Sequence, residues 1–144
     1  NCMLVEKITQ EPKNIVFIYT TCQSADEARS IGLAAIEERL AISADYWVIG
    51  SIYPWRGVIQ DVEQYMLMLT TQKSLSERLI KYIEGLHSYS TPMITRLDTA
   101  LINPNYTFWV ESTLSAKDAY ISEEERRQRE EDENSNGYHY GKLK

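Results

Sequence analysis

The strongest constraint on how this chain can fold is an internal repeat. "TTCQSADEA" at residues 20–28 and "TTQKSLSER" at residues 70–78 both read T-T-x-x-S-x-x-E, offset by 50 positions. An apolar run precedes each copy, "NIVFIY" before the first and "YMLML" before the second. Such runs of β-branched and aromatic residues suit a pleated, half-buried strand. Ser24 with Glu27, and Ser74 with Glu77, have the spacing of a capping box, which opens a helix by satisfying its free N–H groups. Apolar residues then recur at helical spacing: Ala28, Ile31 and Ala35 after the first copy; Leu75, Leu79, Ile83 and Leu86 after the second. Each half therefore reads strand, cap, helix.

A further extended run follows each helix, "AISADYWVIGSIYPW" from Ala41 and "TPMITRLDTALI" from Thr91. The order β-α-β, hairpin, β-α-β predicts an α+β domain of the ferredoxin-like, split βαβ type. Its expected form is a four-stranded antiparallel sheet with two helices on one face. "NPNYTFWVESTL" adds a C-terminal helix, with Asn103 as cap, Pro104 in the first turn, and Tyr106, Trp109 and Val110 on one face. The domain spans 14–114, after an N-terminal extension at 1–13. From 115 to 144 the chain becomes a charged tail, helical or disordered.

The second strand is too long for this sheet. Ile15 to Cys22 spans about 26 Å and Ile42 to Trp55 about 46 Å, at roughly 3.3 Å per residue. The outer half of the hairpin, with Ile52, Tyr53 and Trp55, must project beyond the sheet, and Arg56-Gly57 can turn it. A bare hairpin is marginally stable in water and leaves open edges, so pairing with further copies of the chain is expected. The alternative is a shorter strand with "VIGS" as a loop broken at Gly50.

Composition narrows function. Fifteen Lys and Arg against 21 Asp and Glu give a net charge of −6 in 144 residues, which disfavours nonspecific nucleic-acid binding. Two cysteines, Cys2 and Cys22, imply no disulfide framework, and Cys22 is expected reduced in a cytoplasmic protein. No apolar run is long enough to span a membrane as a helix. The first residue is Asn, so removal of a targeting segment stays open.

Topology places Cys22, ending the first strand, and His87, ending the second helix, at one edge of the sheet. A thiolate with an imidazole suits copper or zinc, although two ligands fall short of a closed site. The competing reading makes Cys22 a small buried hydrophobe and His87 a helix-end residue favoured by the macrodipole. A cysteine near a helix N-terminus can also have a lowered pKa, as nucleophilic cysteines do. No orienting third residue accompanies the pair, and no glycine-rich phosphate loop is present, so no enzyme is expected.

Several words of this sequence, in order, resemble the CutA family of divalent-cation tolerance proteins over residues 14–114. They are "TTCQSADEA", "IEERLA", "SIYPWRGVI", "MLMLTTQ", "LHSYSTP" and "NPNYTFWV". The resemblance implies a ferredoxin-like subunit in a tight homotrimer joined through long hairpins. It also implies a non-enzymatic role: bacterial relatives are linked to copper tolerance, and eukaryotic ones to anchoring other proteins. Related PII-like trimers bind small ligands between subunits, so a small-ligand sensor or scaffold for a protein partner is the alternative. Trp55, Gln64, Tyr89 and Trp109 would then face the intersubunit cleft. Departures from the family pattern fall at Ser43 for a cysteine, Gln64 for a glutamate and Thr70 for a lysine. Ser90 and Met93 likewise replace polar or acidic family residues. The expectation is therefore weak copper or zinc binding at Cys22 and His87, with no cofactor required for folding.

Overall fold

The computed structural model describes residues 14–116 and 120–135. The expected extension at 1–13, with Cys2, lies outside the described residues. The elements are β1 (Ile15–Cys22), α1 (Ala25–Glu37), β2 (Ser43–Trp55), β3 (Val58–Gln72), α2 (Ser76–Leu86), β4 (Ile94–Asp98), α3 (Pro104–Ser115) and α4 (Glu123–Ser135). The four strands form one antiparallel-paired sheet in the order β2-β3-β1-β4, the split βαβ arrangement.

Strand alternation sorts the side chains. Ile18 and Cys22 of β1 join Leu67 and Leu69 of β3 in one core with Ala28, Ile31 and Ala35 of α1 and Leu79 and Ile83 of α2. The two helices reach that core differently. A Cβ on Gly32 would come 2.7 Å from the Ala44 Cβ, so α1 lies close against the sheet on small residues. Helix α2 packs through the larger Leu79 and Ile83, both fully buried. Helix α1 ends in a Schellman motif, with Leu40 N–H donating to Ala35 O and Arg39 N–H to Ile36 O, both 3.0 Å. Arg39 holds the left-handed position, at φ 57°.

A second, smaller core forms where β1 and β2 begin. There α3 brings Val110 and Leu114 onto Ile15 and Ile42. The buried residues of α3 are Thr107, Val110 and Leu114, with Tyr106 packed against them; of the expected face only Trp109 departs, at 49% exposed. Asn103 occupies the cap position, but its carbonyl rather than its side chain accepts from Tyr106 and Thr107.

The hairpin has the long form. β1 stops pairing with β3 at Cys22–Tyr65, while β2 and β3 continue through seven further pairs, from Ile49–Gln64 to Trp55–Val58. The stretch "VIGS" is paired strand, which removes the loop alternative. Arg56 (φ 49°) and Gly57 (φ 78°) close a two-residue turn with both φ positive, the twist-compatible type I′. The turn's hydrogen bond runs between Trp55 and Val58, so alternation leaves Pro54–Ile59 a non-hydrogen-bonded pair. Pro54 thus directs its donorless nitrogen to the open edge of β2, where a proline is tolerated.

In the charged segment the helical alternative holds over Glu123–Ser135. A reciprocal capping box opens it: Glu125 N–H donates to Ser122 Oγ at 3.2 Å, and Ser122 N–H to Glu125 Oε2 at 3.0 Å. Just before it, the Tyr120 ring lies 4.3 Å from the Arg39 guanidinium, a cation–π contact with the body.

Candidate metal centre and hairpin cleft

The end of β1 from which the hairpin projects gathers three metal-ligating side chains. Cys22 ends β1 with its side chain turned to the helix face and sealed from solvent. Glu27 lies in the first turn of α1, where its N–H donates to the capping Ser24 Oγ at 3.1 Å. His87 follows the last turn of α2 in an extended conformation (φ −71°, ψ 139°), so its ring leaves the helix axis and reaches β1. One ligating atom from each of the three lies within 4.8 Å of the others. The sequence-level pairing of Cys22 with His87 is therefore met in space. Glu27 was read there only as a capping residue; its closeness to Cys22 follows from the tight β1–α1 turn.

The donors are committed to other bonds. Nε2 of His87 lies 2.9 Å from the Thr21 carbonyl and 3.1 Å from Thr20 Oγ1. A carbonyl can only accept, so the ring proton sits on Nε2. Nδ1 accepts from Tyr89 N–H at 3.1 Å, which makes the imidazole neutral with both nitrogens occupied. Glu27 accepts from Gln23 N–H through Oε1 (3.2 Å) and from Ser88 N–H through Oε2 (3.1 Å), tying the start of α1 to the loop after α2. Burial, assisted by the Glu27 charge, pushes the Cys22 thiol from 9.0 up to about 12. Burial therefore outweighs the helix N-terminus at this thiol and keeps its pKa above the ordinary value.

Beside this cluster opens a cavity of about 530 Å³. Its walls are the helix-averted face of the hairpin, the end of β1 at Thr21, and the loop Ser88 to Thr91. Trp55, Gln64 and Tyr89 meet there, and Tyr89 donates its hydroxyl to Gln64 Oε1 at 2.8 Å. Burial, then the neighbouring Tyr53, Glu27 and Cys22, raise the Tyr89 pKa. Trp109 does not join them. It sits on α3 against Tyr106 (ring centroids 5.7 Å apart), in the region of the second core. Of the positions that depart from the family pattern, Ser90 lines the cavity, whereas Ser43 and Thr70 pair with each other near the opposite end of the sheet. Met93 is 45% exposed just before β4.

Residues 16–113 match the family model described as CutA1 divalent ion tolerance protein. Protein CutA of Mus musculus is 31% identical over 100 residues, which cover 69% of this chain and 56% of the mouse protein. The divalent-cation tolerance protein CutA of Thermococcus kodakarensis is 28% identical over 99 residues, 69% of this chain and 95% of that one. The chain thus spans just over half the length of its mouse and bovine relatives. Among solved structures, the divalent ion tolerance protein CutA1 from Ehrlichia chaffeensis superposes with a TM-score of 0.70 at 28% identity, covering 72% of this chain and 98% of that one. The periplasmic divalent cation tolerance protein CutA from Archaeoglobus fulgidus gives 0.68 at 25% identity, with 70% and 99% covered.

Proposed function

This chain belongs to the CutA1 divalent ion tolerance family, and from that membership we propose that it is a non-enzymatic, cytoplasmic tolerance protein, working as a homotrimer that holds copper or zinc weakly. The observation that carries the reading is the Cys22–Glu27–His87 cluster beside the projecting hairpin. Sulfur, imidazole and carboxylate donors together suit Cu(I) or Zn(II) better than magnesium or calcium. These residues fit such an ion, at a cost. Binding must remove the proton of a thiol whose pKa stands near 12 and displace hydrogen bonds at His87 and Glu27. Weak affinity follows, with folding independent of metal, because the cluster's bonds are already made without one.

The trimer is supported by what the single chain leaves uncovered. Ile52 (73% exposed), Val58 (61%) and Ile59 (76%) stand on the hairpin, where the strands have no third neighbour. Apolar surface of this kind, on a two-stranded extension, is the mark of an interaction site. Among the described residues no helix is long and apolar enough to cross a membrane.

Two measurements test the proposal. Light scattering should give a mass of about 50 kDa for the 16.7 kDa chain; a stable monomer at micromolar concentration contradicts the trimer. Titration with Cu(I) and Zn(II) should show weak binding that Cys22→Ser and Glu27→Gln each reduce further. Tight binding that survives both variants places the ion elsewhere. A second reading, a small-ligand sensor or scaffold, draws on the hairpin cavity; absence of any metal binding, with the trimer intact, favours it.

A further inference from the structure

We propose that the chain's own N-terminal segment, through residues 3–8, docks on the outward face of α3 over Leu101 and Phe108. This contact is independent of the cation reading, because neither the metal cluster nor the hairpin takes part in it.

Among the described residues, the four most exposed large apolar side chains are Leu101 (78%), Ile59 (76%), Ile52 (73%) and Phe108 (73%). Ile52 and Ile59 stand on the hairpin, where further copies of the chain cover them in the proposed trimer. Leu101 and Phe108 lie at the opposite end of the sheet, where α3 packs on Ile15. Pro104, exposed as well, sits one turn before Phe108 on the same face of α3. A single chain leaves this apolar surface bare, which marks it as a contact site.

The sheet register brings one particular segment to that surface. β1 and β4 run antiparallel with Val16 opposite Asp98, and the Thr99 hydroxyl donates to Ile15 O at 2.7 Å. A step back from Ile15 is therefore a step forward from Thr99. Asn14 comes opposite Ala100, and the chain before it enters beside Leu101. In the sequence that precedes Asn14, Met3, Leu4, Val5 and Ile8 crowd together, and the polar run "TQEPK" at 9–13 separates them from β1. Glu11, before Pro12, is biased to extended backbone, which keeps this spacer long. Five extended residues reach about 16 Å at roughly 3.3 Å each. The 12 residues of α3 make a helix about 18 Å long. The spacer thus carries Ile8 alongside α3, where Phe108 lies in the second turn. A segment on so short a tether meets the face at high effective concentration, ahead of any separate partner.

The test uses the full chain in its native assembly. Cys22 is sealed from solvent, so a nitroxide label attaches at Cys2, and mass spectrometry checks for one label per chain. The label should broaden the amide NMR signals of Asn105, Phe108 and Ser112 more than those of Arg56 and Gly57 at the hairpin turn. In the unlabelled protein, the amide hydrogens of residues 3–8 should exchange about tenfold slower than in a free peptide of the same sequence. The double variant Leu4→Asp, Ile8→Asp should abolish both effects, and so should Phe108→Ser. Circular dichroism checks that each variant is folded; if Phe108→Ser is not, the double variant decides. Assemblies are also mixed so that nitroxide and isotope sit on one chain or on different chains, and broadening should be stronger in the first. Stronger broadening across chains would give the face to a second copy and overturn the proposal. So would an unaffected α3, unprotected residues 3–8, or effects that persist in the folded double variant.

Discussion

The two copies of T-T-x-x-S-x-x-E begin alike and are used in opposite ways. In the first, Thr20 and Cys22 face the helices and the core. In the second, the register shifts the phase by one: Thr20 lies opposite Leu67 and Cys22 opposite Tyr65, so Leu69 and Thr71 face the helices while Thr70 and Gln72 face away. A one-residue change of phase turns every side chain of a strand over. Thr71 accordingly points inward and donates to Leu40 O at 2.6 Å, whereas Thr20 pairs with His87. The exits differ too. Ser24 caps α1 directly, but a 3₁₀ turn at Lys73–Leu75 precedes α2, which starts without a side-chain cap. Ser76 takes over part of the task, its Oγ donating to Lys73 O at 2.7 Å and accepting from Arg96. The same word therefore makes a chemical corner in one copy and a purely structural one in the other.

Substitutions can break or sharpen that contrast, and stability should be measured at one fixed protein concentration because assembly contributes to it. The largest effect is expected in the second copy's helix. Ile83→Ala should cost about 2–5 kcal/mol in urea unfolding, because a fully buried side chain leaves a cavity. In the first copy's helix the sensitivity has the opposite sign of size. Gly32→Ala should cost about 1–3 kcal/mol, since the added methyl meets Ala44. Equal tolerance at both positions would erase the difference between a helix packed on a glycine and one packed on large side chains.

The next effect concerns the residue after the repeated threonines, Cys22 in one copy and Gln72 in the other. The Cys22 thiol has a pKa near 12 in the fold against 9.0 ordinarily. Above pH 9 the unfolded chain loses this proton and the folded chain keeps it, so the unfolded state binds fewer protons and stability falls as pH rises. The fall should reach at most about 1.4 kcal/mol per pH unit up to pH 12. Below pH 9 the contribution is constant. Cys22→Ala should flatten this component of the alkaline denaturation curve; an unchanged slope would mean that the thiol is not held protonated. The smallest effects compare the caps. Ser24→Ala should cost about 1 kcal/mol and Ser74→Ala less than about 0.5, read as shifts in the urea midpoint.

Much of the fold was legible because periodicity and length are local properties. Strand alternation, the helical spacing of Leu79 and Ile83, and the excess length of β2 over β1 follow from chain geometry alone. The Ser122–Glu125 box obeys the same spacing rule, although it lies inside a charged run with no apolar periodicity. The site was legible in part. Topology brought Cys22 to His87, but it carried no information on hydrogen bonds that already occupy both imidazole nitrogens. Within one chain Trp109 sits apart from Trp55, Gln64 and Tyr89, because an aromatic on a helix shows neither which face is buried nor which end of the sheet that helix reaches.

By itself, then, the sequence determined the order of elements, the length of the hairpin and the meeting of Cys22 with His87. Those follow from the reach of an extended chain and the two periods of regular structure. Only the tertiary structure decided the rest. It set the phase in which each copy of the repeat faces the core, and it raised the Cys22 pKa through burial. It also brought in Glu27 as the third donor and joined Tyr89 to Gln64 across the base of the hairpin. Each of these depends on cross-strand register or on what surrounds a side chain, and both are fixed by contacts between residues far apart in the chain.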